Sequence, residues 1–196
     1  AAAAARLYGR TVSLVLPREI DMQVTGGRQE IDASYRVAVT TGGQIAALDC
    51  DINMGQGHTL DWGAVHGFML AGALDNVYKL EQCHVRLAVK RCHVPTRTAV
   101  RAPGHFEAIC IMESIMDAIA AEMSLSPSSV REANMDQGGW TSLGGLGGIP
   151  VPRFPLRGYS MPALWQRLKD ESGFETQRQD VEAFNARSRW RKRGIS

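Results

Sequence analysis

The fold is decided by residues 35–54, which read YRVAVTTGGQIAALDCDINM. Apolar and polar side chains alternate on both sides of Thr41–Gln44, a segment whose two glycines are typical of a tight turn. The residues expected on the buried face of the returning segment are Leu48, Cys50, Ile52 and Met54. The pattern predicts a β-hairpin with one face against a core and one face in water.

Further elements are predicted around this hairpin. Before it, alternation over Thr11–Leu16 predicts a strand that ends at Pro17, and Arg18–Met22 has room for a short helix. After a Gly55–Thr59 loop, the apolar run Ala64–Leu74 predicts a helix. Alternating Val85, Leu87 and Val89 then predict a third strand of the sheet.

The second half of the chain is predicted to be mainly helical. A stripe with spacings 3, 4, 3, 4 marks a long helix and consists of Ile109, Met112, Met116, Ile119 and Met123. Ser126-Pro127 opens a short helix, and two more are predicted at Met161–Lys169 and Gln177–Trp190, the second with a capping box at Thr176 and Gln179.

These elements predict an α+β fold, a mixed sheet with a β-hairpin covered by helices. We divide the chain into an α/β section at 1–135, a Gly/Pro-rich loop at 136–159 and a helical section at 160–196. The chain opens with five alanines and no Met, so we expect a piece of a longer protein that begins within a helix ending at Gly9.

Composition excludes several classes of protein. The 196 residues carry a net charge of +2, too small to indicate a nucleic-acid or membrane partner. No apolar run approaches the roughly 18–20 residues of a membrane span. The four cysteines lack disulfide-scaffold or C-x-x-C spacing and are predicted to be buried thiols in a reducing compartment, which indicates the cytoplasm.

Three side-chain clusters have a structural and a functional interpretation. The dipeptides Cys83-His84 and Cys92-His93 fit a zinc site poorly, because neighbouring residues of a strand point to opposite faces. Glu113 and Asp117 are either a catalytic carboxylate pair or, as we favour, a solvated helix face. The basic tail at 187–193 is either a nucleic-acid or other interaction module or, more simply, the cationic end of a helix.

The segment Pro95–Gly104 has the most specific chemistry. It joins a predicted strand to the start of the long helix and contains an arginine and a Pro-Gly turn. Main-chain N–H groups at such a junction suit an oxyanion, a phosphate or an oxo group. The alternative is a simple turn with a surface arginine.

At this point the sequence resembles a known family, the molybdenum-binding region of xanthine dehydrogenases and aldehyde oxidases. The likeness runs nearly end to end. Its markers are Arg18–Met22 with Thr25–Arg28, Gly57–Thr59 with Asp61, Asp75–Tyr78, Thr98–Gly104, and the tail Phe184-Asn185 to Trp190–Gly194. The resemblance implies an internal section of a larger molybdopterin-binding domain. The implied reaction hydroxylates an aldehyde or an N-heterocycle, with water as the oxygen source.

The resemblance also implies roles for five residues. Arg101 matches the arginine whose main chain approaches the molybdenum, and Ala99 and Val100 line the same cofactor-binding loop. Met69 falls where purine-oxidising members place an arginine, and Pro103 falls where they place a stacking Phe. A thioether brings no cation and proline has no π-face, so both substrate-pocket positions favour an aldehyde or a broad heterocycle over xanthine.

The remaining functional parts are implied to lie elsewhere in the full enzyme. They are the Gly-rich cofactor loop before Ala1, the glutamate base beyond Ser196, the 2Fe-2S clusters and FAD. No catalytic side chain is therefore assigned to this chain, which alone is expected to be inactive. The implied partners are the other molybdenum-domain segments, the iron–sulfur and flavin domains, a small-molecule substrate and a second copy in a homodimer. A purine (xanthine) dehydrogenase remains the alternative within the family.

Overall fold

The structure, a computed structural model, describes residues 1–138 and 158–195. Its helices and strands are α1 (Ala2–Tyr8), α2 (Arg18–Val24), β1 (Glu30–Val39), β2 (Ile45–Gly57), α3 (Gly63–Gly72), β3 (Cys83–Arg91), α4 (His105–Met123), α5 (Pro127–Asn134), α6 (Met161–Ser172) and α7 (Phe174–Arg187). The predicted Gly/Pro-rich loop at 136–159 lies largely outside the described residues. No helix in the described part has the length and apolar character needed to cross a membrane.

The predicted hairpin is confirmed and forms the centre of a three-stranded sheet. β2 is the middle strand, antiparallel to β1 and parallel to β3, with Tyr35 opposite Cys50. Gly43 makes the turn with φ +80°, a left-handed conformation that glycine adopts without steric cost. Parallel strands need a crossover connection, and α3 belongs to the crossover that links the end of β2 to the start of β3 in the chain.

One face of the sheet is covered by α3, α4 and α5. Leu48, Cys50, Ile52 and Met54 of β2 are all buried, as their alternation predicts. Met112, Met116 and Ile119 of α4 are buried as well, and Met123 is half-buried. Ile109 is 44% exposed, so its predicted place in the core is wrong. The buried stripe begins at Ala108, which points more directly at the sheet.

Three further predictions about elements are wrong. Thr11–Leu16 forms no strand, and Val15 is 85% exposed, because no described strand lies beside it to pair with its backbone. Gly55–Gly57 continues β2 instead of starting a loop. The Thr176 capping box does not form, because α6 and α7 are joined by Gly173 alone and α7 already begins at Phe174.

Asn134 at the end of α5 attaches that helix to the hairpin turn. Its side chain is buried, accepts the Ile45 N–H at 2.7 Å and donates to the Gly43 carbonyl at 2.9 Å and the Val130 carbonyl at 2.8 Å. A buried backbone group without a partner is costly. The turn and α5 therefore depend on this one amide.

We expect Asn134→Ala to lower the free energy of unfolding by about 2–4 kcal/mol, because it leaves the Ile45 N–H and the Gly43 carbonyl buried without partners. Urea unfolding of this chain measures the change. Glu122→Gln is the matched control on the exposed side of α4 and should change stability by less than about 0.5 kcal/mol. An equal effect of the two variants would contradict this role of Asn134.

The other face of the sheet carries alternating charges across the three strands. Carboxylate oxygens of Asp49 lie 2.6 Å from a guanidinium nitrogen of Arg36 and 3.0 Å from one of Arg86. The Nδ1 atom of His84 lies 3.1 Å from the same carboxylate. Chiefly the Arg36 hydrogen bond, and then the Arg86 hydrogen bond, lowers the pKa of Asp49 to about 2. Arg86 also binds Asp51 and lowers the pKa of that carboxyl.

A carboxyl whose pKa is depressed by folding stabilises the protein above its unfolded pKa of about 4, and the gain is lost as the pH falls toward the folded pKa. We therefore expect Asp49→Asn to destabilise the chain near neutral pH, with the difference from wild type shrinking as the pH approaches about 2. Unfolding at a series of pH values measures it. Asp32→Asn, on β1 and outside this ion-pair cluster, is the control and should change the free energy of unfolding by less than about 0.5 kcal/mol near neutral pH.

Candidate functional site

Hydrogen bonds hold the first part of the loop Pro95–Gly104, which follows β3. The Arg97 N–H donates to the Gln56 carbonyl at 2.8 Å, and the buried Gln56 side chain donates back to the Arg97 carbonyl. The Thr98 N–H then donates to the Gly27 carbonyl at 3.2 Å. The first part of the loop is therefore fixed against β2 and the segment before β1.

A second set of contacts fixes the far end of the loop. Arg28 donates from Nη2 to the Arg101 carbonyl at 2.7 Å and from Nη1 to the Ala102 carbonyl at 3.4 Å. The same Nη1 lies 3.1 Å from Oε1 of Glu107, a buried carboxylate in the first turn of α4. The guanidinium also lies over the Phe106 ring, with its carbon 4.8 Å from the centroid.

The loop enters α4 at a very close approach to α3. Gly104 has φ +76°, and a Cβ built on it would lie 2.4 Å from the Leu70 nitrogen. The Gly104 N–H donates to Nε2 of the fully buried His66 at 2.9 Å, and this Nε2 also lies 3.0 Å from Glu107 Oε1. The ring nitrogen faces a donor and a carboxylate, so only one of the two contacts is a full hydrogen bond at a time.

Between these fixed ends, the main-chain N–H groups of Ala99, Val100 and Arg101 make no hydrogen bond to any residue that the structure describes. All three residues are exposed. The Arg101 guanidinium likewise forms no ion pair within residues 1–138 and 158–195, while its carbonyl is held by Arg28. Within the described residues, this run therefore combines three unpaired N–H donors with the Arg101 carbonyl that Arg28 holds.

The two predicted substrate-pocket residues lie at the same junction. Met69 is half-buried near the end of α3, and its carbonyl carbon would lie 2.8 Å from a Cβ on Gly104. Pro103 is half-buried, and its carbonyl accepts a hydrogen bond from His105 Nδ1 at 3.1 Å. The fold therefore brings Met69 beside the Pro103–Gly104 turn, and their role in substrate binding stays a prediction.

His66 and Glu107 are not among the site residues that the sequence predicts, and Arg28 enters there only as part of a motif. His66 and Glu107 are 41 residues apart along the chain. No residue spacing gives such a contact; it arises when α3 and α4 pack. The one local signal is Glu107 itself, an acidic residue in the first turn of a helix.

The cysteines do not support a zinc site. Among the described residues, no group of three or more His, Cys, Asp and Glu side chains is arranged to hold a metal ion. Cys92 Sγ accepts the Gly57 N–H at 3.2 Å, and His84 joins the Asp49 ion-pair cluster. The prediction of buried thiols is right for Cys50 but wrong for Cys110, which lies on the exposed side of α4.

Glu113 and Asp117 serve an ion-pair cluster. Arg131 of α5 binds Glu113 at 2.8 Å and Asp117 at 2.8 Å. Glu113 also accepts the Tyr78 hydroxyl at 2.7 Å, and burial together with this hydrogen bond raises the pKa of Tyr78. The predicted solvated face is correct for Asp117, but Glu113 is partly buried because α5 and the turn before β3 pack over it.

The basic tail is not simply a helix end. α7 ends at Arg187, so most of the cationic residues at 187–193 lie beyond it. The chain folds back so that Lys192 donates to the Asn185 carbonyl at 2.7 Å, and the Arg193 guanidinium carbon lies 4.1 Å from the centroid of the Phe184 ring. Lys192 thus satisfies a carbonyl of the last helical turn from outside the helix.

The sequence of the chain matches a known domain family and several known proteins. Residues 1–135 match the family model of the molybdopterin cofactor-binding domain. Over 196 residues the chain is 34% identical to aldehyde oxidase 2 of Rattus norvegicus, and over 192 residues, 97% of the chain, it is 32% identical to xanthine dehydrogenase 2 of Arabidopsis thaliana. It spans only 14% of the length of each relative.

Solved structures show the same fold. The chain superposes on the aldehyde oxidoreductase from Desulfovibrio gigas with a TM-score of 0.74 at 20% identity, covering 96% of this chain and 19% of that one. For quinoline 2-oxidoreductase from Pseudomonas putida 86 the TM-score is 0.70 at 18% identity, covering 94% and 23%. The chain therefore belongs to the molybdopterin cofactor-binding domain family, as part of the molybdenum-binding region that aldehyde oxidases and xanthine dehydrogenases share.

Proposed function

We propose that this chain forms one wall of a molybdopterin-bound molybdenum site, in an enzyme that hydroxylates an aldehyde or an N-heterocycle with oxygen from water. The observation that carries this is the exposed run Ala99–Arg101, whose three N–H groups have no partner among the described residues while both of its ends are fixed. Family membership supplies the class of cofactor.

The loop residues fit such a cofactor. Its phosphate and oxo groups are hydrogen-bond acceptors, and the loop offers unpaired main-chain donors beside the cation of Arg101. Buried Gln56 and His66 hold the two ends of the loop, so little conformational freedom is lost when a ligand binds. When bound, the cofactor supplies two-electron oxidation of the substrate carbon.

The work of this chain is to bind and orient. The run Ala99–Arg101 carries one ionisable side chain, the guanidinium of Arg101, a group that does not serve as a general base. We therefore assign no proton transfer to this loop and expect the base elsewhere in the full enzyme. We also place the 2Fe-2S clusters, the FAD and the homodimer contacts in the full enzyme, and we expect that enzyme in the cytoplasm.

Substrate choice rests on Met69 and Pro103. A thioether offers a substrate neither charge nor a strong donor, and proline has no flat face for an aromatic ring. Both side chains suit an aldehyde or a broad heterocycle. A purine hydroxylase is the second candidate, because the identity to xanthine dehydrogenase 2 of Arabidopsis thaliana, 32%, nearly equals the 34% to aldehyde oxidase 2 of Rattus norvegicus.

The test uses the longest natural polypeptide that contains these residues. We expect it to purify with stoichiometric molybdenum by mass spectrometry and to oxidise aldehydes with a dye as electron acceptor. In isotope-labelled water, the carboxylic acid product should carry the label. Absence of molybdenum in protein made with a molybdenum supply, or an unlabelled product, would overturn the proposal.

Arg101→Ala shows whether this loop touches the cofactor. Its side chain has no ion pair within the described residues, so the fold should be as stable as wild type, while kcat or molybdenum content should fall about ten-fold through loss of one charge-assisted contact. Arg91→Ala, at an exposed arginine of β3, is the matched control and should change neither.

Met69→Arg tests the substrate pocket. A cation at this position should favour a purine over an aldehyde, so the ratio of kcat/KM for xanthine to that for benzaldehyde should rise about ten-fold or more. Met69→Leu keeps the size and apolar character and should leave the ratio within about two-fold of wild type. If both variants behave alike, Met69 does not line the pocket.

A further inference from the structure

A polar triad with a buried histidine and a buried carboxylate lies beneath the loop, and the proposed function has so far assigned it no role. It consists of Arg28 before β1, His66 in α3 and Glu107 in α4, defined here as the clamp triad. His66 is 0% and Glu107 5% exposed. Three elements distant in sequence thus meet at one point under the turn that leads into α4.

One carboxylate oxygen joins the two arms of the clamp triad. Glu107 Oε1 lies 3.1 Å from Nη1 of Arg28 and 3.0 Å from Nε2 of His66. The first arm continues to the carbonyls of Arg101 and Ala102. In the second arm, His66 Nε2 either accepts the Gly104 N–H or donates to Glu107, so the arginine arm is the one that Glu107 holds in both tautomers.

The contacts of Arg28 need the geometry of a guanidinium group, which only arginine has. Its planar fork reaches the Arg101 carbonyl with one nitrogen while the other faces Glu107. Lysine has a single charged nitrogen on a flexible stem and cannot reproduce both directions. The fork lies over the Phe106 ring, which further limits its movement.

The clamp triad also has a cost that packing alone does not explain. Glu107 Oε2 and His66 Nδ1 are buried with no hydrogen-bond partner among the described residues. Apolar residues would fill this space without leaving polar atoms unsatisfied. The turn is strained as well, since Ala102 adopts φ +58°, a left-handed conformation unfavourable for a residue with a Cβ.

We propose that Glu107 and Arg28 are positioning residues, which hold the carbonyls of Arg101 and Ala102 inward so that the unpaired N–H groups of the loop stay aimed at the cofactor. This inference rests on the proposed function for the identity of the ligand. The clamping of the loop is a property of this chain and can be measured without any cofactor.

The experiment compares two variants with two matched controls in the full polypeptide. Arg28→Lys and Glu107→Gln weaken the clamp while keeping side-chain length or shape. Arg131→Lys and Glu113→Gln make the same changes in another arginine–carboxylate pair that involves α4, whose nitrogen and oxygen are 2.8 Å apart. If the variants acted only by lowering the stability of the fold, the two clamp variants and the two control variants should show similar effects.

The first measurement is hydrogen exchange of peptides spanning residues 98–104 in cofactor-free protein. We expect exchange at the hydrogen-bonded amides of Thr98 and Gly104 to be at least about ten-fold faster in Arg28→Lys and Glu107→Gln, and unchanged in the controls. The second is the electron paramagnetic resonance signal of the loaded enzyme. It should shift, with a fall of about ten-fold in kcat, in the clamp variants only.

Two results would overturn the inference. One is wild-type exchange of residues 98–104 in both clamp variants, and the other is equally fast exchange in the control variants, which would reduce the triad to general stability. A wild-type polypeptide without molybdenum would instead overturn the proposed function. In that case the exchange comparison alone decides whether the triad clamps the loop.

Discussion

The position of the loop depends on the contact between Gly104 and the backbone of α3. A Cβ at Gly104 would lie 2.4 Å from the Leu70 nitrogen and 2.7 Å from the His66 carbonyl oxygen. Only glycine therefore allows the loop backbone to approach the backbone of α3 this closely. This approach sets where α4 begins and brings the Gly104 N–H within 2.9 Å of the His66 ring. The direction of the preceding loop, and with it the exposure of Ala99–Arg101, follows from that point.

The sheet positions the two helices whose ends make this contact. The hairpin makes β2 the central strand, and the parallel pairing of β3 requires α3 to cross over the sheet. The apolar stripe of α4 then covers the same face, with Met112 and Met116 fully buried. Because α3 and α4 pack on one surface, their ends meet where β3 passes into the loop. A rigid core thus positions a short segment whose own residues contribute little to stability.

Buried polar groups in two parts of the fold show how stability and function diverge. Asn134 satisfies buried backbone groups and stabilises the fold. Glu107 and His66, by contrast, each keep one buried polar atom without a partner among the described residues. Native proteins retain such atoms where a fixed geometry matters more than the cost of burial. The ion pairs of Arg36, Asp49 and Arg86 on the exposed sheet face are screened by water and contribute less to stability.

Local pattern was sufficient for the hairpin, for α4 and for the loop that carries Arg101, because periodicity and turn residues act between near neighbours. It failed at Thr11–Leu16, since alternation describes a strand but cannot supply one to pair with. The sequence by itself determined the elements, the family resemblance and the candidate loop. Only the tertiary structure decided that Arg28, His66 and Glu107 lie under that loop, because contacts between residues 41 and 79 positions apart exist only after the helices pack.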